Sequence, residues 1–489
     1  MSLRFGTDGV RGDTRTVLCA AAVAALGRAG AEVLSSHGFA VGRDTRASSP
    51  EFAAAVHRGV AAAGGHSVDL GVVSTPVVAR WCHDYGVAGA VVSASHNPWH
   101  DNGVKFFAPG GLKLSAHAQQ QIQDRFDQYL KTGCLDTVSV ETDDTEARES
   151  ADRHTADGHS VDPHSVDPHS VNPHSTDGHS VDRHRVDRHR EAVGRHLSAV
   201  VDSLEGRTLG GLKVVADLAN GAATTVAERA LTRLGAEVTV IHDSPDGHNI
   251  NDGCGSTDLR SLQDAVVERR ADAGLGFDGD ADRVLAVDAD GELVDGDQII
   301  AICALDRHER QVLTDNAVVV TAMTNLGFRL AMDAAGIEVV ETRVGDRYVL
   351  EALGARGLSL GGEQSGHVIF SDLATTGDGL LTAVQLLDVV VRRNTSLADL
   401  AARAMTRLPQ VLSNVAVPKL ISDHEAWMLD RRCAPLIDAA MARLAGKGRI
   451  LIRPSGTEPL VRVMVEAETI AEAQMEADAL ADAVELLLS

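Results

Sequence analysis

Three similar α/β domains with mixed sheets, followed by a smaller α+β domain, are what this sequence predicts. Two observations carry that expectation. Strand-like apolar runs alternate with helical stretches three times along the chain, and the C-terminal stretch breaks that rhythm. The length agrees, since 489 residues exceed what one hydrophobic core serves.

The first unit reads as a helix to residue 34, a strand at 39–42, a second helix, a strand near 68–73, a helix over 76–84 and a buried strand at 88–92. Ser49, Pro50 and Glu51 supply an N-cap, a first-turn proline and an acid for the positive end of the helix dipole. Strands separated by helices imply parallel pairing through right-handed crossovers. The second unit places strands at 212–216 and 237–241 and helices at 225–234 and 259–270. The third has strands at 317–321 and 338–341 around a helix at 326–335. In the last stretch, strands at 449–452 and 460–465 form a hairpin-like pair flanked by helices at 425–444 and 470–488.

Between the first two units, histidines recur every five residues from His154 to His189, in units such as His-Ser-Val-Asp-Pro. Period five fits neither helix nor strand, and the units lack apolar bulk. The segment reads as a repeat-expanded, solvated linker; flexible histidine tracts bind metal weakly whatever their purpose. The expected divisions are therefore 1–136, the linker 137–192, then 193–297, 298–405 and 406–489.

Net charge is −24, from 45 basic and 69 acidic side chains, which disfavours nucleic acid and anionic membrane as partners. Six scattered cysteines without a C-x-x-C pair fit a reducing compartment. The opening, with Arg4, Asp8, Arg11 and Asp13, does not read as a signal peptide, and no stretch is apolar enough to span a membrane. A cytoplasmic protein is expected, monomer or homodimer.

Four polar clusters carry chemistry. Ser93-Ala94-Ser95-His96-Asn97-Pro98 leaves a buried strand, where α/β sheets present ligands, and Lys105 follows, placed to meet an anion. Taken alone, the run reads equally as a turn of small polar residues. A serine next to a histidine could serve acyl transfer, but adjacent residues seldom face each other and there is no G-x-S-x-G elbow. Asp278, Asp280 and Asp282 follow an apolar strand, ahead of Arg283. On an extended backbone, residues two apart point the same way, so the carboxylates converge; an all-oxygen set suits Mg²⁺, with a solvated acidic turn as the alternative. Gly274-x-Gly276-x-x-Gly279 matches a dinucleotide fingerprint by spacing only, because the following carboxylates would repel a pyrophosphate. Arg453-Pro454-Ser455-Gly456-Thr457, with Arg462 beyond, offers hydroxyls, backbone N–H groups and a guanidinium to a phosphate dianion. Glu363-Gln364-Ser365-Gly366-His367 offers partners for sugar hydroxyls and an imidazole for proton shuttling.

Together with Phe5-Gly6-Thr7-Asp8-Gly9-Val10-Arg11-Gly12, these motifs occur in the order found in the α-D-phosphohexomutases, which the chain resembles along nearly its whole length outside the histidine repeat. The resemblance implies four domains around a central cleft, one loop from each. It implies a phosphoserine at Ser95, Mg²⁺ held by Asp278, Asp280 and Asp282 with an oxygen of that phosphate, and Arg11, Lys105 and Arg283 around the transferring group. His367 becomes a proton-transfer partner, Glu363 and Ser365 sugar ligands, and Arg453, Ser455, Gly456, Thr457 and Arg462 the grip on the substrate's other phosphate. Gln364 is similar to members acting on glucosamine phosphates, so interconversion of glucosamine 6-phosphate and glucosamine 1-phosphate through a bisphosphate is expected. Action on glucose or mannose phosphates, or sugar-phosphate binding without catalysis, are the alternatives. The histidine insertion departs from the family.

Only six of the basic residues are lysine. Such an Asp-rich, Lys-poor chain suits concentrated salt, where screening weakens self-repulsion. If so, the unfolding midpoint should rise steeply as KCl approaches molar concentration; full stability in dilute buffer would remove the halophilic reading.

Overall fold

The computed structural model describes residues 3–6, 9–132, 177–419, 423–455 and 459–488. Four sheets succeed one another along them. The first holds β1 (Phe5–Gly6), β2 (Gly9–Asp13), β3 (Phe39–Arg43), β4 (Ser67–Val72), β5 (Ala88–Val92), β6 (Asp101–Ala108) and β7 (Leu112–Lys113), ordered β1-β2-β6-β5-β3-β4 with β7 on β6. β3 runs parallel to β4 and β5, as the alternating pattern requires. β6 then returns antiparallel to β5, with Val91 opposite Lys105.

The second sheet, β8 (Lys213–Asp217), β9 (Glu237–Ile241), β10 (Ala273–Phe277), β11 (Val284–Asp288) and β12 (Leu293–Val294), repeats the device: β10 is parallel to β8 and antiparallel to β11. So does the third, with β13 (Ala317–Thr321), β14 (Glu338–Thr342), β15 (Leu360–Gly362) and β16 (Val368–Phe370), where β15 is parallel to β13 and antiparallel to β16. The last sheet, β17 (Gln410–Ala416), β18 (Arg449–Pro454) and β19 (Leu460–Glu466), is wholly antiparallel. Each functional loop predicted after Arg11 therefore connects an antiparallel pair: 93–100, 278–283, 363–367 and 455–459.

Several expectations need correction. β17 went unpredicted; Ser413 and Asn414 interrupt its apolar residues, which breaks the alternation a strand is read from. The helix expected at 225–234 breaks into a 3₁₀ turn at Ala222–Thr225 and a short helix at Ala227–Arg233. Ser48, not Ser49, occupies the N-cap of the helix Ser49–Ala62, because the Ser49 hydroxyl donates to buried Asp44 at 2.6 Å instead.

The end of the histidine-rich segment is a helix, Asp177–Asp202, not a solvated linker. Ala192, Val193, Leu197 and Val200 give it an apolar stripe that joins the core shared by the first three domains. Its His189 Nδ1 lies 2.9 Å from the Leu70 carbonyl on β4, and His196 Nε2 lies 2.7 Å from Asp378 in the third domain. Burial of that stripe overrides the poor local propensity of the repeat. His154 to His174 lie outside the described residues. The C-terminal domain has a core of its own, built around Val461, Val463, Val465, Ala477 and Val484.

A polar seam joins the third and fourth domains. Asp297, wholly buried, accepts the Asn325 N–H at 2.8 Å, and Glu466 accepts the Leu326 N–H at 2.8 Å. Burial, with Asp295 nearby, pushes the Asp297 carboxyl up to about 7, and burial also raises Glu466. The folded protein therefore holds protons that the unfolded chain has released above pH 4, and stability from this seam falls as pH rises from about 4 to 7. Asp297→Asn should flatten that part of the pH–stability curve, by on the order of 1–4 kcal/mol across the window. Chemical denaturation at pH 5 and pH 8 measures it, and an unaltered slope would contradict the assignment.

Candidate active site

Ser95 lies on the connection between β5 and β6 with φ at 54°, a left-handed conformation that a non-glycine residue adopts only when its surroundings hold it there. The surroundings do hold it. Arg46, buried with Asp44 against its Nε at 2.7 Å, donates from Nη2 to the carbonyls of Ser95 (2.8 Å) and Asn97 (2.9 Å), and from Nη1 to those of Asp101 (2.9 Å) and Pro98. Asn251, from the second domain, donates to the same Ser95 and Asn97 carbonyls at 2.8 and 3.1 Å. Neither Arg46 nor Asn251 stands out in the sequence, because each acts on backbone carbonyls far away along the chain.

The Ser95 hydroxyl donates to Asp278 Oδ2 at 2.6 Å and lies 3.3 Å from His96 Nδ1. The expectation that adjacent Ser95 and His96 would face apart is thus overturned; the left-handed turn at Ser95 brings the two side chains together. Burial, helped by Arg283 and Arg11, lowers His96 to about 4, so its ring is neutral at physiological pH. His96 is the residue nearest the hydroxyl that sequence reasoning missed.

Asp278, Asp280 and Asp282 are buried, and their ligand oxygens lie within 4.8 Å of one another. They converge, but not for the reason expected. β10 ends at Phe277, and the loop turns, with Ala281 at φ 56°, so the carboxylates meet by curvature rather than by strand alternation. Gly279 lets the two loops meet: a Cβ there would fall 2.6 Å from the Ser95 carbonyl. Lys105 reaches Asp280 at 2.7 Å and Asp282 at 3.0 Å, and the Thr75 hydroxyl donates to Asp280 at 2.6 Å. Burial, then Asp282 and Asp280, pushes the Asp278 carboxyl well above the usual range. Burial acts the same way on Asp282, yet Lys105 and His367 outweigh it and hold Asp282 well below. Asp280 Oδ1 and Asp282 Oδ1 are buried without a hydrogen bond. Two unmet acceptor oxygens beside an acid forced upward by its neighbours form a set that fits a hard divalent cation.

A cavity of about 740 Å³ opens beside this cluster, lined by Arg11, His96, Arg283, Glu363 and His367 among others. Arg11 Nη1 donates to Asn97 at 3.4 Å. Burial works against the Arg283 cation, but Asp282 and Asp278 raise it. His367 Nδ1 lies 3.6 Å from Asp282, and its Nε2 lies 3.7 Å from Asp346, which also pairs with Lys113 at 2.5 Å. Those carboxylates raise His367 against the opposing effect of burial. Gly377 packs on its ring so closely that a Cβ would sit 2.3 Å from Nε2. Glu363 accepts the Gly345 N–H at 3.0 Å, and burial raises its carboxyl. Ser365 is exposed, and Gln364 donates to Asp295 at 3.3 Å.

Arg453 and Arg462 are direct partners across β18 and β19, each half-buried, and burial together with Arg462 lowers Arg453. Buried Ser455 follows, its N–H bonded to the Leu460 carbonyl. None of these three lines the cavity around His367, whereas Arg347 and Tyr348, which sequence reasoning passed over, do. Gly456 and Thr457 lie outside the described residues.

The chain matches, in order, the families described as Phosphoglucomutase/phosphomannomutase, alpha/beta/alpha domain I (residues 2–132), domain II (194–291), domain III (295–408) and C-terminal domain (398–483). The phosphoglucosamine mutase of Thermobifida fusca is 47% identical over 99% of this chain and 98% of its own length. That of Pelotomaculum thermopropionicum is 45% identical over 96% of each. Among solved structures, a phosphoglucomutase/phosphomannomutase family protein from Burkholderia thailandensis superposes with a TM-score of 0.72 at 22% identity, covering 99% of this chain and 98% of that one. Aspergillus fumigatus N-acetylphosphoglucosamine mutase, in complex with GlcNAc-6P and magnesium, gives 0.62 at 18% identity over 99% and 96%. At those identities the two structures share the fold.

The crowding of the three acids has a measurable consequence. Mg²⁺ at a hundred times its Kd should raise the unfolding free energy by about 2.7 kcal/mol. Asp278→Asn should lose that response and, without the ion, be at least as stable as the parent. A variant that is less stable without the ion, yet still responds to it, would contradict this reading of the cluster.

Proposed function

Because the chain belongs to the phosphoglucomutase/phosphomannomutase family, we propose that it interconverts glucosamine 6-phosphate and glucosamine 1-phosphate through a phosphorylated Ser95. It is a mutase, hence an isomerase, of hexosamine phosphates. The observation that carries the mechanism is the Ser95 hydroxyl, 2.6 Å from one of three convergent aspartates and bordered by cationic side chains. Phosphoryl transfer asks for positioning and charge neutralisation more than for covalent help, and this site offers both.

Asp278, Asp280 and Asp282 would hold Mg²⁺, which supplies neutralisation of phosphoryl charge. The all-oxygen donor set supports that choice of ion. Arg11 and Arg283 line the cavity and would receive the equatorial oxygens of the transferring group; Lys105, paired with Asp280 and Asp282 at 2.7 and 3.0 Å, would add its charge beside them. In the first half-reaction the Oγ–P bond of phosphoserine breaks as a sugar oxygen forms its own bond to phosphorus. The proton that the sugar hydroxyl loses balances the one that the released Ser95 oxygen takes up. Neutral His96 is suited to accept a proton beside that oxygen, while His367, biased toward its charged form, is suited to donate one or to steady an anion. The bisphosphate turns within the cavity and returns its other phosphate to Ser95. Glu363 and Ser365 would bind sugar hydroxyls. Arg453, Ser455, Gly456, Thr457 and Arg462 would grip the phosphate that is not reacting, the paired guanidinium groups gaining a dianion between them.

Among the described residues no helix is long and apolar enough to cross a membrane. A mutase of soluble sugar phosphates would work in the cytoplasm. Ser95→Ala should cut turnover by at least about 10³-fold, as loss of a covalent nucleophile does. Intact-mass measurement should find one phosphoryl group on the parent and none on the variant. In parallel assays, glucosamine phosphates should turn over faster than glucose or mannose phosphates. A fully active alanine variant would remove the mechanism, and a preference for mannose phosphate would remove the substrate assignment.

A further inference from the structure

A second set of ligand-type side chains stands apart from the three aspartates. β8 and β9 run parallel with Asp217 opposite Ile241, so Asp217 and the next residue on β9's side, His242, emerge at the same sheet edge. Cys254, from the loop that leads to the helix Arg260–Arg269, meets them there. Oxygen, nitrogen and sulfur atoms from the three lie within 4.8 Å of one another. Asp217 and Cys254 are wholly buried, and His242 is partly open to solvent. His242 Nδ1 stands 3.0 Å from Asp217 Oδ2, yet it is buried with no hydrogen bond of acceptable geometry. Asp217 accepts the backbone N–H groups of Ala219 and Gly255, both at 2.9 Å, which fixes its carboxylate while leaving lone pairs free.

We propose that Asp217, His242 and Cys254 form a second metal site, specific for a thiophilic divalent cation such as Zn²⁺, with solvent completing the coordination on the exposed side of His242. The donor chemistry separates it from the three-aspartate site. A carboxylate, an imidazole and a thiolate make a mixed oxygen, nitrogen and sulfur set of the kind that Zn²⁺ accepts, whereas Mg²⁺ takes oxygen ligands. In the metal-free protein, burial and Asp217 push the Cys254 thiol up to about 12, which leaves it protonated and unreactive. Binding exchanges the S–H bond for a sulfur–metal bond and releases the proton to solvent, so affinity rises with pH. Three residues ahead of Cys254, Asn251 holds the Ser95 carbonyl, so an ion at this site braces the segment that positions the nucleophile loop.

Co²⁺ is the probe. The full chain, stripped by chelator dialysis and kept in excess Mg²⁺, should develop a thiolate-to-cobalt absorption band in the near ultraviolet that saturates at one ion per chain. No cysteine lies between His154 and His189, so ions caught by the repeat give no such band. Cys254→Ser should abolish the band, and Cys134→Ser should keep it. His242→Gln, at a partly exposed position, should weaken Co²⁺ binding at least about tenfold. Absence of the band at saturating Co²⁺, or its survival in Cys254→Ser, would overturn the site. If Cys254→Ser does not fold, unchanged Co²⁺ affinity in His242→Gln overturns it alone.

Discussion

Three carboxylates shut away from water cannot all stay charged unless cations accompany them, and the centre of this molecule is organised around that constraint. Asp278 and Asp282 sit four residues apart on one loop, yet their acidities move in opposite directions. The difference is one of neighbours. Asp282 has Lys105 from the first domain and His367 from the third, whereas Asp278 has the uncharged Ser95 hydroxyl and two other acids, which outweigh the help of Arg283. Separating such a pair leaves a buried charge uncompensated, which is far costlier than the pair is beneficial. The electrostatics of one loop therefore hold three domains to a common point.

The same backbone device brings the loops of the first three domains to that centre. A strand runs parallel to its neighbour, the next returns antiparallel, and the polar residues occupy the short connection between them. A connection fixed at both ends by a sheet ladder has little freedom, which suits residues that must meet partners from other domains. The cost in backbone strain is local and braced: Ser95 keeps its left-handed turn because Arg46 and Asn251 together hold the carbonyls around it. Asn251 belongs to the second domain, so the conformation of the serine depends on the contact between domains as much as on its own loop.

Ionic character is distributed unevenly over the site. His96 is driven neutral by burial and two arginines, and His367 is drawn toward its cation by two carboxylates. Two imidazoles with opposite bias therefore stand beside one cavity, one kept neutral and the other drawn toward its charged form. Arg453 and Arg462, paired across two strands of a domain with a separate core, gather positive charge where the acid loop gathers negative.

The sequence by itself determined the alternation of elements, the four domains and the polar loops, because apolar periodicity and turn residues act over a few positions. Ser95 and the three aspartates were legible for the same reason: each cluster is contiguous. The sequence failed where partners are distant. Arg46, Asn251 and Asp346 act through backbone carbonyls or side chains far along the chain, and His96 needed a left-handed turn to swing toward its neighbour. The helix Asp177–Asp202 also escaped prediction, since its repeat has no helical period and contacts of His189, Val193, His196, Leu197 and Val200 with other domains hold it. What tertiary structure decided was which charges meet, and buried charges take their protonation state from neighbours in space rather than neighbours in sequence.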